Sequence, residues 1–351
     1  HAFNWEKFAW FTGLPLLLQA FLIAFIFDFT NGFHDAANAI ATSVATRALT
    51  PRAALTMAAV MNFVGAMIGT GVATTIGGGI VHISDAAQPD GTNYAGLVIV
   101  LGALIGAITW NMITWWFGLP SSSSHALIGG LAGAGLVGSI AVHWGVILDK
   151  VIIPMIISPM VGFCLAYGIM KLVLWALQNA AYKSNMRRFR LAQVVSSAAL
   201  ALGHGLQDAQ KTMGVVVIAL IAGGFHEDPS NIPTWVKIGA ALAISLGTYA
   251  GGGRIMKTMG QKIIDLDPAR GFVAEITGAS VLYTTAFIWH APISTTHTIT
   301  CAIMGVGATK RRSAVRWAVA GNIVTAWVLT LPAAAAVSAF VTWLLLLMVP
   351  M

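Results

Sequence analysis

Charged residues are scarce in this sequence. Only 9% of its 351 residues are Asp, Glu, Lys or Arg, whereas 57% are hydrophobic and the mean hydropathy is +0.80. Soluble domains carry about 25% charged residues, so the composition excludes the ordinary soluble classes. Because uncharged runs long enough to cross a bilayer recur along the whole chain, the sequence predicts a multi-pass membrane protein.

Cysteine is also scarce. Cys164 and Cys301 both lie within apolar runs, which argues against a disulfide framework and a thiolate metal site. No histidines are spaced as in zinc sites, and we expect no metal cofactor or other cofactor. The formal net charge of +7 comes from basic residues between apolar runs, which is typical of cytoplasmic loops and not of nucleic-acid binding.

The chain does contain an internal duplication. The stretch GFHDAANAIAT at 32–42 pairs with GLQDAQKTMGV at 205–215, an offset of 173 residues. A second pair is PSSSSHALIGG at 120–130 and PISTTHTITCA at 292–302, at an offset of 172 residues. Two unrelated motifs at nearly one offset indicate a duplicated chain.

We place the first repeat at residues 8–177 and the second at 191–350, joined by a short basic cytoplasmic linker at 178–190. The apolar runs within them predict about ten to twelve membrane segments, all helical. Some runs exceed the roughly 20 residues of one span, so we expect broken helices and re-entrant hairpins. In the first run, we expect Gly32 to loosen or interrupt the helix.

Equivalent loops of the two repeats differ in charge. The loop at 47–52 has two Arg where its partner at 223–233 has no Lys or Arg, and 254–270 has four basic residues where 77–94 has none. Lys and Arg accumulate in cytoplasmic loops, so the repeats have inverted topology with both termini outside. Direct repeats in one orientation are the alternative.

Ionisable side chains at membrane depth are costly unless they are paired, hydrated or functional. Asp35 and Asp208 are related by the repeat, so an inverted two-fold relation would bring them together at the centre. Lys211 follows Asp208 at i+3 and either neutralises it in transport or forms a structural ion pair. Asn38 takes the equivalent place in the first repeat. Such oxygen groups suit Na⁺ or proton exchange, and Glu275 is either a further ion ligand or protonated.

The PSSSSH and PISTTH motifs predict two helix N-termini, because Pro followed by hydroxyl residues is typical of a capped helix start. A helix start at the midplane presents partial positive charge and N–H donors, which form an anion site. The expected ligands of one tetrahedral oxyanion are Ser122, Ser123, Ser124, Ser294, Thr295 and Thr296. Plain capping and Ser/Thr packing are the alternative. His125 and His297, which follow, either protonate during transport or bond backbone carbonyls.

These motifs resemble those of the inorganic phosphate transporter (Pit) family. The resemblance covers nearly the whole chain and includes GFHDAANAIAT, GHGLQDAQKTMGV, GFVAEITGA, PSSSSH and PISTTH in that order. It implies a duplicated secondary transporter that imports phosphate with Na⁺ or H⁺, in some members as a neutral metal–phosphate complex. It also implies a homodimer.

Carried onto this chain, the resemblance makes Asp35 and Asp208 the coupling-ion carboxylates, with Asn38 as a nearby ligand. The two Ser/Thr tips match phosphate-binding hairpin ends, and His204 and Glu275 match polar positions that are important in relatives.

The chain departs from the family pattern where Asn usually precedes each Asp. Those places hold His34 and Gln207. The loss of two amide oxygens weakens the case for Na⁺, and His34 resembles the bacterial low-affinity, proton-coupled branch.

The sequence thus predicts a phosphate symporter of the cell membrane, in bacteria the inner membrane. It is not an enzyme; it works by alternating access with H⁺ or Na⁺ and carries phosphate alone or with a divalent metal. The nearest alternative is a sulfate carrier of the same family, because the two oxyanions have similar shapes. Less favoured alternatives are an intramembrane hydrolase that uses a Ser with His125 or His297, and an anion channel.

Overall fold

The structure is a computed structural model that describes residues 16–79, 94–140, 142–226, 228, 231–251 and 253–348. The outer ends of the two predicted repeats, at 8–15 and 349–350, lie outside the described residues, as does most of the loop at 77–94.

Helices form the regular structure of the described chain, as the apolar runs predict. In chain order, the α-helices of five or more residues are α1 (Leu16–Ala45), α2 (Pro51–Ile68), α3 (Gly71–Gly79), α4 (Tyr94–Trp116), α5 (Ser123–Val137), α6 (Ile153–Ala176), α7 (Tyr182–Ala222), α8 (Thr234–Ala250), α9 (Gly253–Lys257), α10 (Pro268–Thr284), α11 (Thr295–Ala308) and α12 (Trp317–Met348). Short π-helical turns precede α6 and follow α9 and α10, at Leu148–Ile152, Thr258–Lys262 and Thr285–Trp289.

Six stretches of the described chain are long and apolar enough to cross a membrane. They are Leu16–Ala45, Pro51–Ile68, Ala95–Trp116, Trp144–Ala176, Pro268–Trp289 and Trp317–Met348. The helices α5, α8 and α11, of 15, 17 and 14 residues, are shorter than the roughly 20 residues of a full span. These lengths fit the multi-pass class and the expectation of re-entrant segments.

The segment predicted as a linker is partly helical. α7 begins at Tyr182 and runs without a break for 41 residues to Ala222, so the basic stretch that ends at Arg190 forms its first turns. No proline interrupts α7, and the helix therefore carries the basic segment directly into the second repeat.

The expectation that Gly32 interrupts the first helix was wrong. α1 is continuous, and a Cβ at Gly32 would collide with the carbonyl oxygen of Ile244 on α8. A Cβ at Gly205, the counterpart of Gly32 in the duplication, would collide in the same way with the carbonyl oxygen of Asn62 on α2. Each glycine thus lets two helix backbones pack directly, and this contact offsets the cost of about 1 kcal/mol of a glycine inside a helix.

The packing of helices crosses between the two halves of the chain. α12 from the second half packs on α4 and α5, and α6 from the first half packs on α10 and α11. Likewise α1 packs on α8, and α7 packs on α2. Each contact has a counterpart under the duplication, and the crossed packing brings α1, α7 and the starts of α5 and α11 to one centre.

Candidate functional site

A polar stripe runs along one face of α1. Asp28, Asn31, Asp35, Asn38 and Thr42 follow one another at steps of three or four residues, and none is more than 2% exposed. Side chains at these steps lie on one face of a helix. The stripe therefore brings carboxylate, amide and hydroxyl groups into the interior of an otherwise apolar helix.

Asp35 and Asp208 meet at the centre, as the duplication predicts. The amide nitrogen of Asn31, turned towards both carboxylates, donates to Asp35 Oδ2 at 2.9 Å and to Asp208 Oδ2 at 3.0 Å. Ligand atoms of Asp35, Asp208 and His204 lie within 4.8 Å of one another. Two carboxylates and an imidazole at this spacing can hold a cation; the duplication predicted the two carboxylates, and the structure places His204 beside them.

The second motif copy contains a buried ion pair. Lys211 Nζ lies 2.9 Å from Asp208 Oδ1, and His204 Nε2 lies 3.0 Å from Asp208 Oδ2. The side chain of Lys211 is fully buried and also donates to the carbonyl oxygen of Ile293 at 2.9 Å and to Ser124 Oγ. The i+3 pairing predicted for Lys211 is confirmed, and the ammonium group also reaches the segments that lead into both helix tips.

The first motif copy has a histidine in place of that ion pair. His34 Nδ1 lies 2.5 Å from Asp35 Oδ1, and His34 Nε2 lies 3.0 Å from Thr114 Oγ1 on α4. The hydroxyl of Ser121 donates to the same Thr114 oxygen at 2.9 Å. His34 therefore connects the Asp35 carboxylate to α4 and to the approach to the first tip.

Gln207, the counterpart of His34, bonds groups other than the carboxylates. Its amide nitrogen donates to Thr285 Oγ1 at 3.0 Å and to the carbonyl oxygen of Ala291 at 3.3 Å. It thus holds α7 against the end of α10 and the segment before the second tip.

Both predicted tips are capped helix starts. Ser122 Oγ accepts from the backbone N–H of His125 at 3.2 Å, and Ser294 Oγ accepts from the N–H of His297 at 3.1 Å. These are N-cap hydrogen bonds, which fix the first turn of α5 and of α11. The capping alternative is therefore confirmed for one hydroxyl of each tip, and the remaining hydroxyls have other partners.

The remaining tip hydroxyls contact the central motifs. Ser123 Oγ donates to Asp35 Oδ2 at 2.9 Å, and Asn38 Nδ2 donates to Thr296 Oγ1 at 2.8 Å and to Thr295 Oγ1 at 3.2 Å. Asn38 of the first repeat thus contacts the second tip, whereas its counterpart Lys211 contacts Ser124 of the first tip. The exchange brings all the predicted anion and cation ligands except Glu275 into one region.

His125 and His297 lie where the two tips meet. Their ring centroids are 4.8 Å apart in an edge-to-face arrangement, and His297 stacks on Trp327 at 4.0 Å. Within the described chain, neither ring nitrogen of His125 has a hydrogen-bond partner. The carbonyl hydrogen bond considered for His125 is therefore not formed, and the two imidazoles pack against each other.

Glu275 lies in a separate, hydroxyl-rich cluster. Its Oε1 accepts from Thr42 Oγ1 at 2.6 Å and from Ser43 Oγ at 2.5 Å, and its Oε2 accepts from Ser196. Gln193 Nε2 lies 3.3 Å from Oε1. The side chain is fully buried, so hydrogen bonds from α1 and α7 replace its hydration. Glu275 is not in contact with the Asp35 and Asp208 pair.

Sequence reasoning missed several residues of these clusters. Asn31 joins the two carboxylates, and Asn62 holds His204 through a 3.0 Å contact between Oδ1 and Nδ1. Thr42, Ser43 and the α7 residues Gln193 and Ser196 surround Glu275. A search for polar residues spaced three or four residues apart along α1 and α7 would have found most of them.

Comparison with known proteins gives one consistent family. A family model described as "Phosphate transporter family" matches residues 31–338. A Bacillus subtilis relative named "Probable low-affinity inorganic phosphate transporter" is 44% identical over 297 residues, which are 84% of this chain and 86% of the relative. A Rhizobium meliloti relative of the same name is 47% identical over 292 residues, 82% of this chain and 84% of the relative.

A solved structure is also similar. It is described as "The sodium-dependent phosphate transporter", has 28% sequence identity and a TM-score of 0.84, and the match covers 96% of this chain and 100% of that one.

Proposed function

This chain belongs to the phosphate transporter family, and from that premise we propose that it imports inorganic phosphate as a secondary active symporter. The observation that carries the proposal is the convergence of two capped helix starts on the buried Lys211 ammonium group. Helix N-termini and an ammonium group together favour an anion, and the Ser and Thr hydroxyls beside them are suitable ligands for a tetrahedral oxyanion. The chain is a transporter and not an enzyme.

The phosphate site in this proposal consists of the two tips. Ser122, Ser123 and Ser124 approach from α5, and Ser294, Thr295 and Thr296 approach from α11. In the present arrangement these hydroxyls bond the protein itself, so phosphate would replace contacts such as Asn38 to Thr296. Phosphate can bind these hydroxyls only after their partners in the protein have moved away. Substrate binding is thereby coupled to movement of the helices.

The coupling cation in this proposal binds beside the phosphate. Asp35 and Asp208, with Asn38 and His204 nearby, supply the oxygen and imidazole groups for H⁺ or Na⁺. The same carboxylates could also bind a divalent metal that is complexed with phosphate. The metal would then be transported together with phosphate as a co-substrate. Either cation offsets the charge that phosphate brings into the membrane interior, where an uncompensated charge is costly.

Glu275 is proposed as a second cation ligand, away from the phosphate. Its four hydrogen-bonding neighbours provide the oxygen-rich surroundings that a coupling ion needs. Since Thr42 lies one turn beyond Asn38 on α1, an ion bound at Glu275 would influence the same helix that contacts the second tip.

Transport would follow from alternating access between two inverted repeats. The charge difference between equivalent loops and the crossed packing of the two halves support this arrangement. We place the protein in a bacterial inner membrane with both termini outside, as a homodimer. The rearrangement would be favourable only when cation and anion are both bound, because each alone leaves an unpaired charge in the core.

Phosphate is favoured over sulfate by the two carboxylates beside the tips. Phosphate at neutral pH carries a proton that it can donate to Asp35 or Asp208, whereas sulfate has no hydrogen-bond donor. A hydrolase is not favoured, because the hydroxyls of the first tip contact a backbone N–H, the Asp35 carboxylate and the Lys211 ammonium group instead of an imidazole nitrogen.

Uptake of labelled phosphate into proteoliposomes tests the proposal. A Na⁺ gradient, a pH gradient and Mg²⁺ are varied separately, with sulfate as competitor and protein-free liposomes as control. We expect accumulation that requires one of the cation gradients and is weakly inhibited by sulfate. Equal uptake without any gradient or metal would contradict the coupling, and stronger inhibition by sulfate than by unlabelled phosphate would make the protein a sulfate carrier.

A further inference from the structure

Asp28 is a buried carboxyl group that the contacts described above do not involve. It lies on α1 and is 0% exposed, and neither of its carboxyl oxygens has a hydrogen-bond partner within the described part of the chain. Asp35 and Asp208, by contrast, each have several polar partners. Asp28 is therefore the one carboxylate of the α1 stripe whose charge is not compensated by direct contacts.

The surroundings of Asp28 connect it to the central site. Asp208, Lys211 and Thr212, all on α7, act on the Asp28 carboxyl group. The hydroxyl of Thr212 is itself buried without a hydrogen-bond partner. Asp28 precedes Asp35 by seven residues, which is two turns or about 10 Å along the same face of the helix.

A proton fits Asp28 better than a metal ion does. Hard cations such as Ca²⁺ and Mg²⁺ take six or more oxygen ligands, whereas neither carboxyl oxygen of Asp28 has a hydrogen-bonded polar neighbour within the described part of the chain. A proton needs no such cage, because it converts the carboxylate to a neutral acid in a place where an unpaired charge is costly.

We propose that Asp28 is a second cation site of the carrier, specific for a proton, and supplies a proton that is transported with phosphate in addition to the cation bound at Asp35 and Asp208. This inference rests on the proposed function. The Asp28 carboxylate takes up one proton on the side of the α1 N-terminus, becomes a neutral carboxyl group, and returns to a carboxylate when the proton leaves on the opposite side. With its charge removed, Asp28 no longer repels Asp208 or the incoming anion.

The substitution Asp28→Asn tests this site, because the amide has the shape of the neutral acid but cannot release a proton. Asp149→Asn is the matched control, since Asp149 is an exposed carboxylate on the π-helical turn before α6. Both variants and the unmodified protein are reconstituted in proteoliposomes. Phosphate accumulation driven by a pH gradient is compared with phosphate/phosphate exchange at equal pH, and the carboxyl C=O stretch is followed by infrared difference spectroscopy between acidic and alkaline buffers.

We expect Asp28→Asn to retain exchange but to lose pH-driven accumulation by at least about tenfold, and to lose one protonation-dependent carboxyl band that Asp149→Asn keeps. Exchange serves as the test of folding and phosphate binding. If the band persists in Asp28→Asn, or if its accumulation equals that of Asp149→Asn, the assignment is wrong. A failure of the proposed function is distinguishable, because the unmodified protein would then show neither accumulation nor exchange of phosphate.

Discussion

The two copies of the central motif share a position in the fold but differ in charge. In the second copy, Asp208 is paired with the buried ammonium group of Lys211. In the first copy, Asp35 has His34 and the hydroxyl of Ser123 as partners, and the place of the lysine is taken by the neutral Asn38. The same position in the fold therefore holds one carboxylate paired with a buried ammonium group and one that contacts an imidazole and a hydroxyl.

The largest difference between the copies is expected from removing each carboxylate. Asp208→Asn leaves Lys211 as a buried, unpaired cation, which costs about 3–5 kcal/mol, whereas Asp35→Asn leaves no such charge. We expect both variants to lose phosphate accumulation, but only Asp208→Asn to show a large fall in melting temperature in detergent. Uptake in proteoliposomes and thermal unfolding measure the two effects.

The double variant with Asp208→Asn and Lys211→Met is the control for this reasoning. Removing both charges should restore most of the thermal stability while transport stays absent, because the cation no longer lies unpaired in the interior. A melting temperature as low as that of the single variant would contradict the ion-pair explanation.

A smaller effect is expected at the residue that precedes each Asp. His34→Asn replaces the imidazole beside Asp35 with an amide oxygen donor, and it should raise the dependence of uptake on Na⁺ by about tenfold, which corresponds to about 1.4 kcal/mol of cation affinity. The matched change Gln207→Asn should leave ion dependence unaltered, because Gln207 bonds Thr285 and a backbone carbonyl instead of a carboxylate. The same response in both variants would show that His34 has no special role.

The smallest effect is expected at the two helix caps. Ser122→Ala and Ser294→Ala each remove one N-cap hydrogen bond and should each destabilise the protein by about 1 kcal/mol. Thermal unfolding measures the effect, and Ser280→Ala, which changes an exposed hydroxyl inside α10, is the control. Unequal losses at the two caps would show that the tips are not energetically equivalent.

Much of the fold was predictable because the bilayer imposes strict rules on composition. The apolar runs predicted membrane-spanning helices, and α4 and α10 are such helices, because lipid-exposed backbone must form its hydrogen bonds within the chain. The break at Gly32 was predicted incorrectly because a glycine that loosens a helix and one that allows close packing look the same in sequence. Only the position of Ile244 on α8 distinguishes them.

The main ionisable and hydroxyl residues of the candidate site were predictable, but Asn31 and the hydrogen-bonding partners of Glu275 were not. The duplication alone predicted that Asp35 and Asp208 meet, and the i+3 spacing predicted the Lys211 pair. Neither the duplication nor the spacing indicated that Asn31 lies between the carboxylates or that Glu275 lies in a cluster of its own. Such contacts depend on the angle and depth at which α1 crosses α7, which no local pattern contains.

The sequence by itself determined the membrane class, the duplication, the two capped tips and the choice of ionisable residues, because each depends on composition or on spacing along one helix. The tertiary structure decided which side chains reach which tip: Asn38 reaches the tip of α11, whereas Asp35 and Lys211 both reach that of α5. These contacts follow from the packing of helices from opposite halves, in which glycines such as Gly32 and Gly205 allow close crossings. Packing of this kind is a property of surfaces far apart in the chain, and it therefore appears only when the chain is folded.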